Sequence, residues 1–101
     1  ADIPEKKPRL YVAALGERAG VKALEIVERL RREGVYAECD IVGRSLKAQM
    51  KYADKCGARY SMVIGSDEAD KKVAVLKNMR EKAEAEVSLE NLDNLIAIVK
   101  E

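Results

Sequence analysis

Apolar residues fall in short blocks along this chain, and their spacing switches between continuous and helical from block to block. Residues 10–15 (Leu-Tyr-Val-Ala-Ala-Leu) form a nearly unbroken apolar run, the pattern of a strand buried on both faces of a parallel sheet. Gly16 ends it. Over residues 17–33 the period becomes helical, with Ala23, Leu24, Val27 and Leu30 on one face and Lys22, Glu25, Glu28, Arg29 and Arg32 outside. Arg31 and Arg32 suit the dipole in the last turn, and Gly34 stands where a helix ends. Residues 35–42 read as a second strand, followed by Gly43 and Arg44. Ser45 is placed as N-cap of a helix over 46–56 that Gly57 stops, and residues 60–64 form a third apolar strand before Gly65.

Strand, helix, strand, helix, strand in this order requires right-handed crossovers and a parallel three-strand core. Residues 72–79 and 84–87 then alternate partially and lie too close for a helix between them, so they read as an antiparallel pair at one sheet edge. The turn joining them has no Gly. Ser88 is expected to cap a final helix with Leu89, Leu92, Ile96 and Val99 on one face. The predicted fold is α/β: three layers, α/β/α, around a five-stranded mixed, mostly parallel sheet. A βαβαβ core is followed by the antiparallel pair and a C-terminal helix. Residues 1–9, polar and carrying Pro4 and Pro8, read as a linker or extended lead-in, and residues 10–101 as the domain.

Composition narrows the chemistry. A chain of 101 residues holds one core, and with 48% hydrophobic residues, no Phe, no Trp and four Tyr, aliphatic side chains must fill it. The net charge of +1 is uninformative, but its distribution is not. Arg44, Lys47, Lys51, Lys55 and Arg59 face Asp54 alone in the middle, while Glu81, Glu84, Glu86, Glu90, Asp93 and Glu101 dominate the C-terminal part. A polyanion would meet the middle. Without His, neither a zinc site of the usual Cys/His kind nor a Ser/His/Asp arrangement can be built, and Cys39 and Cys56 read as two reduced, packed thiols. With no membrane-length apolar run and no signal-peptide pattern, a cytoplasmic protein without a membrane partner is expected.

Lys47, Lys51 and Lys55 stand at i, i+4 and i+8, which aligns three like charges along one helix face. Their mutual repulsion does nothing for the helix, whereas a phosphate backbone would reward it; a solvated lysine face remains the alternative. Arg44 precedes the same helix, where first-turn amides favour anions. Gln49 and Tyr52 occupy an adjacent face, where an amide can read base edges and a phenol can stack on an unpaired base. Gly16 and Gly65 end two parallel strands, so Glu17, Arg18, Asp67 and Glu68 would line the crevice there. No GxGxxG or Walker pattern accompanies them, and no catalytic site is expected in the chain.

The segment Gly43-Arg44-Ser45-Leu46-Lys47-Ala48-Gln49-Met50-Lys51-Tyr52-Ala53-Asp54-Lys55-Cys56-Gly57-Ala58-Arg59-Tyr60 strongly resembles the C-terminal anticodon-binding domain of histidyl-tRNA synthetases, among the class II aminoacyl-tRNA synthetases. Its mark is a Gly, then Lys-x-Gln, then Ala-Asp-Lys-x-Gly-Ala. Tyr11-Val12, Leu30-Arg31 with Gly34, Gly65-x-x-Glu68, Val73-Ala74-Val75, Lys77-Asn78-Met79 and Val87-Ser88-Leu89 extend the resemblance through the chain. It implies a domain that grips the anticodon stem-loop of tRNA. A separate catalytic domain, using ATP and Mg in a parent that is a homodimer, attaches histidine. No cofactor is implied here. The resemblance puts base contacts at Arg44, Glu68 and Lys77, with Lys47, Gln49 and Lys51 against backbone or flanking bases. Glu17 and Tyr52 complete the candidate RNA-contacting set. A stand-alone paralogue serving as a regulatory or protein-interaction module is the alternative reading. The missing Gly in the last turn leaves contacts near Arg80 open.

Overall fold

A computed structural model describes residues 7–40 and 43–100. The elements run β1 (Leu10–Ala14), α1 (Glu17–Arg32), β2 (Ala37–Cys39), α2 (Leu46–Lys55), β3 (Tyr60–Ile64), α3 (Ser66–Lys71), β4 (Val73–Asn78), β5 (Glu84–Ser88) and α4 (Asp93–Lys100). They build one five-stranded sheet in the order β2-β1-β3-β4-β5. β1 pairs in parallel with β2 and with β3, whereas β3–β4 and β4–β5 are antiparallel. The expected α/β sheet between helices is therefore present, with its parallel part confined to β2, β1 and β3.

The two faces differ. Leu10, Val12 and Ala14 of β1, with Met62 and Ile64 of β3, pack under α1 and α4 in the larger core, where Ala74, Leu76 and Val87 continue the apolar layer along β4 and β5. On the opposite face Tyr11 and Ala13 of β1 meet Ala53 of α2 and Ala58, with Met50, Tyr52, Cys56 and Val63 around them. Beyond this smaller cluster the sheet is open: Val75 on β4 is 48% exposed, and Glu84 and Glu86 on β5 are exposed.

Several local expectations shift. In α1 the buried face is Ala19, Ala23, Ile26, Val27 and Leu30, while Leu24 is exposed, because it sits about 100° round the helix from Ala23. β2 spans Ala37–Cys39, with residues 35, 36 and 40 of the expected 35–42 strand outside it, and residues 41–42 lie outside the described part. The six-residue α3 was not anticipated: Ser-Asp-Glu-Ala-Asp-Lys carries a single apolar side chain, Ala69, which packs against the main core. Ser88 does not cap α4 directly. It ends β5, and its Oγ accepts from the Glu90 and Asn91 amides at 3.1 and 3.0 Å, a local turn that delays the helix until Asp93. Glu101 lies outside the described residues.

The lead-in also changes. Residues 1–6 lie outside the described part, but Pro8 is buried and Arg9 is tied in at both ends. The Arg9 amide donates to the Tyr36 carbonyl at 2.8 Å and its Nε to the Val99 carbonyl at 2.6 Å. Between β4 and β5, the Asn78 side chain accepts from the Arg80 and Glu81 amides, and Lys82 takes a left-handed φ of 63° where a glycine would be unstrained.

Candidate functional site

The helix α2 begins as its sequence suggested. Ser45 Oγ accepts from the Ala48 amide at 3.3 Å, and Ser45 has extended dihedrals. Lys47, Lys51 and Lys55 are all exposed, and among the described residues none has a carboxylate within ion-pairing distance. Three cations in a row, with Asp54 the one acidic residue of α2 and not paired with any of them, make an electropositive strip along the outer side of the helix.

Arg44, just before this helix, is more constrained than a surface arginine. Asp40 Oδ2 accepts from the Gly43 and Arg44 amides, both at 2.9 Å, and Asp40 Oδ1 accepts from Arg44 Nε at 3.0 Å. Gly43 has φ +83°, which lets the chain turn back on the carboxylate. The Arg44 Cζ lies 5.1 Å from the centroid of the Tyr52 ring, and that ring sits 5.4 Å from Tyr11. Burial acts to raise the Asp40 carboxyl, but the amide and guanidinium hydrogen bonds outweigh it and hold the group below the usual carboxylate range. The hydrogen bond to Asp40 raises Arg44 above its ordinary value. Tyr11, buried and near the Asp40 charge, is pushed up to about 12.

Gln49 is a correction. It was expected as an exposed amide able to read bases, and it is 0% exposed. Its Oε1 accepts from the Ala14 amide at 2.8 Å, and its Nε2 donates to the Ala14 carbonyl at 3.0 Å and the Arg44 carbonyl at 2.6 Å. With both N–H groups and one lone pair of Oε1 used inside the fold and the side chain fully buried, no polar edge is presented to RNA. Tyr52 is likewise half-buried, with its ring against Tyr11 and under Arg44, so it supports the arginine and offers little free stacking surface.

Glu68 and Lys77 do come together. They line a groove of about 190 Å³ on the open sheet face, floored by Met50, Val63 and Val75 with the β3 backbone at Met62, and edged by Ser61 and Glu84. Glu68 is partly committed, since its Oε1 accepts from the Gly65 amide at 2.8 Å and steadies the start of α3. Glu84 stands directly across from Lys77 in the β4–β5 ladder. Glu17 falls elsewhere. It lines a shallow depression with Ala14, Gly16, Gly20, Val21, Leu24, Asp40 and Gly43, beside the start of α1. Arg18, beside it, pairs with Asp70 at 2.5 Å.

The sequence reading missed Asp40, Met50 and Glu84. Asp40 carried a legible signal, an aspartate three residues before a glycine at a strand end, which is a turn signature. Met50 and Glu84 carried none, because their place in the groove depends on how α2 and β5 lie over the sheet. Cys39 and Cys56 are both free and half-buried, and burial raises both thiols, so neither is an activated nucleophile.

Residues 9–98 match the family model described as the anticodon binding domain. The histidine–tRNA ligase of Acetivibrio thermocellus is 52% identical over 91 residues, covering 89% of this chain and 22% of that protein. That of Clostridium novyi is 41% identical over 99 residues, covering 97% of this chain and 24% of that protein. Among solved structures, the apo histidyl-tRNA synthetase of S. aureus superposes with a TM-score of 0.83 at 32% identity, covering 100% of this chain and 25% of that one. The chain thus spans about a quarter or less of the length of these relatives. With the family model matched from the lead-in to the last helix, the chain belongs to the anticodon binding domain family.

Proposed function

We propose that this chain binds the anticodon stem-loop of a tRNA, as the anticodon-reading part of a histidine–tRNA ligase. Its sequence matches about a fifth to a quarter of that enzyme's length in the relatives above. The observation that carries the proposal is the unpaired strip Lys47, Lys51 and Lys55 on a chain of this family. In the proposed complex these lysines face phosphates, and Arg44, Glu68 and Lys77 meet bases. Glu68 Oε2 accepts from base amino groups, and Lys77 donates to acceptor edges. Gln49 and Tyr52 act behind them. Histidine attachment, with ATP and Mg, belongs to the catalytic domain of the parent, a cytoplasmic homodimer in this reading, and no cofactor works in this domain. No described helix is long and apolar enough to cross a membrane.

The test is titration of a labelled histidine-accepting anticodon stem-loop at several salt concentrations, beside a stem-loop with a scrambled anticodon. Tight binding to the cognate loop is expected, with log affinity falling against log salt by about 0.7–0.9 per phosphate neutralised. Equal affinity for the scrambled loop, or no salt dependence, would sink the reading.

A further inference from the structure

Arg44 is held by a residue that meets no expected ligand. The Asp40 side chain is 1% exposed, and among the described residues it accepts three hydrogen bonds, two from the Gly43 and Arg44 amides and one from Arg44 Nε. A buried carboxylate is tolerated when its lone pairs are filled, and the cation that fills them here is itself 41% exposed. The pair therefore has an inner end anchored under α2 and an outer end at the surface. Arg44 is fixed at its amide by Asp40, at its carbonyl by Gln49, at Nε by Asp40, and over its guanidinium by Tyr52. Because Nε is taken, the two Nη groups form the remaining edge, a pair of parallel donors. Such a fork suits a bidentate acceptor, two oxygens of a phosphate or the O6 and N7 of a guanine. A fork already fixed loses little further freedom on binding.

We propose that Asp40 is a positioning residue for RNA recognition, acting through Arg44 by presenting its outer guanidinium edge as a preset bidentate donor. The proposal rests on the RNA-binding reading above. It separates Asp40 from an ordinary turn-builder by one substitution. In Asp40→Asn a single carbonyl oxygen still serves the Gly43 and Arg44 amides, while the new NH2 faces Arg44 Nε donor to donor. The turn is kept and the guanidinium is released.

The experiment measures binding of the histidine-accepting anticodon stem-loop to the whole chain and to the variants D40N, R44A and D40N/R44A. Melting temperature and the arginine Nε–H signals in NMR are recorded for each. Arg44→Ala is expected to weaken binding roughly 10- to 100-fold, the worth of a bidentate contact. Asp40→Asn is expected to weaken it about tenfold and to shift the Arg44 Nε–H signal, and the double variant is expected to bind no worse than R44A alone. Should D40N fail to fold, Arg44→Lys, which keeps the charge and loses the fork, is expected to show the same loss. Losses that multiply in the double variant, or wild-type affinity in D40N or R44K, overturn the role. If the unaltered chain binds no stem-loop at all, the RNA reading falls and this role with it; binding that D40N leaves unchanged overturns the role alone. A loss equal for cognate and scrambled loops assigns the fork to phosphate, and a loss confined to the cognate loop assigns it to a base edge.

Discussion

The side-chain amide of Gln49 bonds both backbone polar groups of Ala14, two residues past the last described β1–β2 pair. β2 pairs with β1 as far as Val12, where the Asp40 amide donates to the Val12 carbonyl at 3.4 Å. Two residues on, the amide and carbonyl of Ala14 point the same way as those of Val12, toward the side on which β2 pairs. Gln49 accepts from that amide and donates to that carbonyl, as a neighbouring strand would, and then reaches Arg44 with its second N–H. The edge of the sheet, the start of α2 and the turn bearing Arg44 are thereby locked to one another.

Gln49→Leu is therefore expected to destabilise the fold far more than its size change suggests. It leaves the Ala14 amide, the Ala14 carbonyl and the Arg44 carbonyl unpaired in the interior, at a cost of about 1–3 kcal/mol for the first and less for groups that water reaches. We expect a loss of roughly 2–4 kcal/mol in a urea melt. A loss below about 1 kcal/mol would show that the amide does not substitute for the strand.

This bond also explains where the sequence reading succeeded and failed. The strands β1 and β3 were legible because both faces of each are buried and their apolar runs are continuous. The end of β2 was not, since it depends on Asp40 turning inward to a loop that local spacing does not reveal. Gln49 was read as a surface amide because helical periodicity places it beside Tyr52; its depth is set by β1, 35 residues away in sequence. The lysine strip was legible because like charges one turn apart need no tertiary information. The groove joining Glu68 to Lys77 was anticipated only through the family resemblance, and its floor of Met50 and Val63 was not anticipated at all.

Asp40 ties stability to pH. Its folded pKa lies below the ordinary carboxylate value, so the contribution is complete above about pH 4 and is lost as pH falls through the lower folded value. The unfolded chain takes up the proton first, which is why acid favours unfolding. In acid titrations below about pH 4, Asp40→Asn should flatten the fall in stability relative to the unaltered chain. Parallel curves for the two would mean that the Asp40 bonds do not depend on its charge.

Lys82 offers a stabilising change. It holds φ 63° in the turn between β4 and β5, a conformation disfavoured by roughly 1–2 kcal/mol for a residue with a Cβ. Glycine removes that strain and adds unfolded-state entropy of about 0.5–1 kcal/mol against it. Lys82→Gly should raise stability by up to about 1 kcal/mol, read as a higher urea midpoint with an unchanged m-value. A lower midpoint would show that the Lys82 side chain contributes to the turn.

Lys51 stands between Lys47 and Lys55, one turn from each, on the exposed side of α2. Each like-charge pair costs the helix about 0.2–0.5 kcal/mol, and alanine has the better helix propensity. Lys51→Ala should therefore raise the folding stability by a few tenths of a kcal/mol. The same substitution should weaken stem-loop binding and reduce the salt slope by close to one. Opposite signs on the two measurements mark a charge kept for a partner, because a lysine that only solvates the surface has no affinity to lose. If stability rises and stem-loop affinity stays constant at low salt, the strip is a solvated face and the phosphate contacts lie elsewhere on the domain.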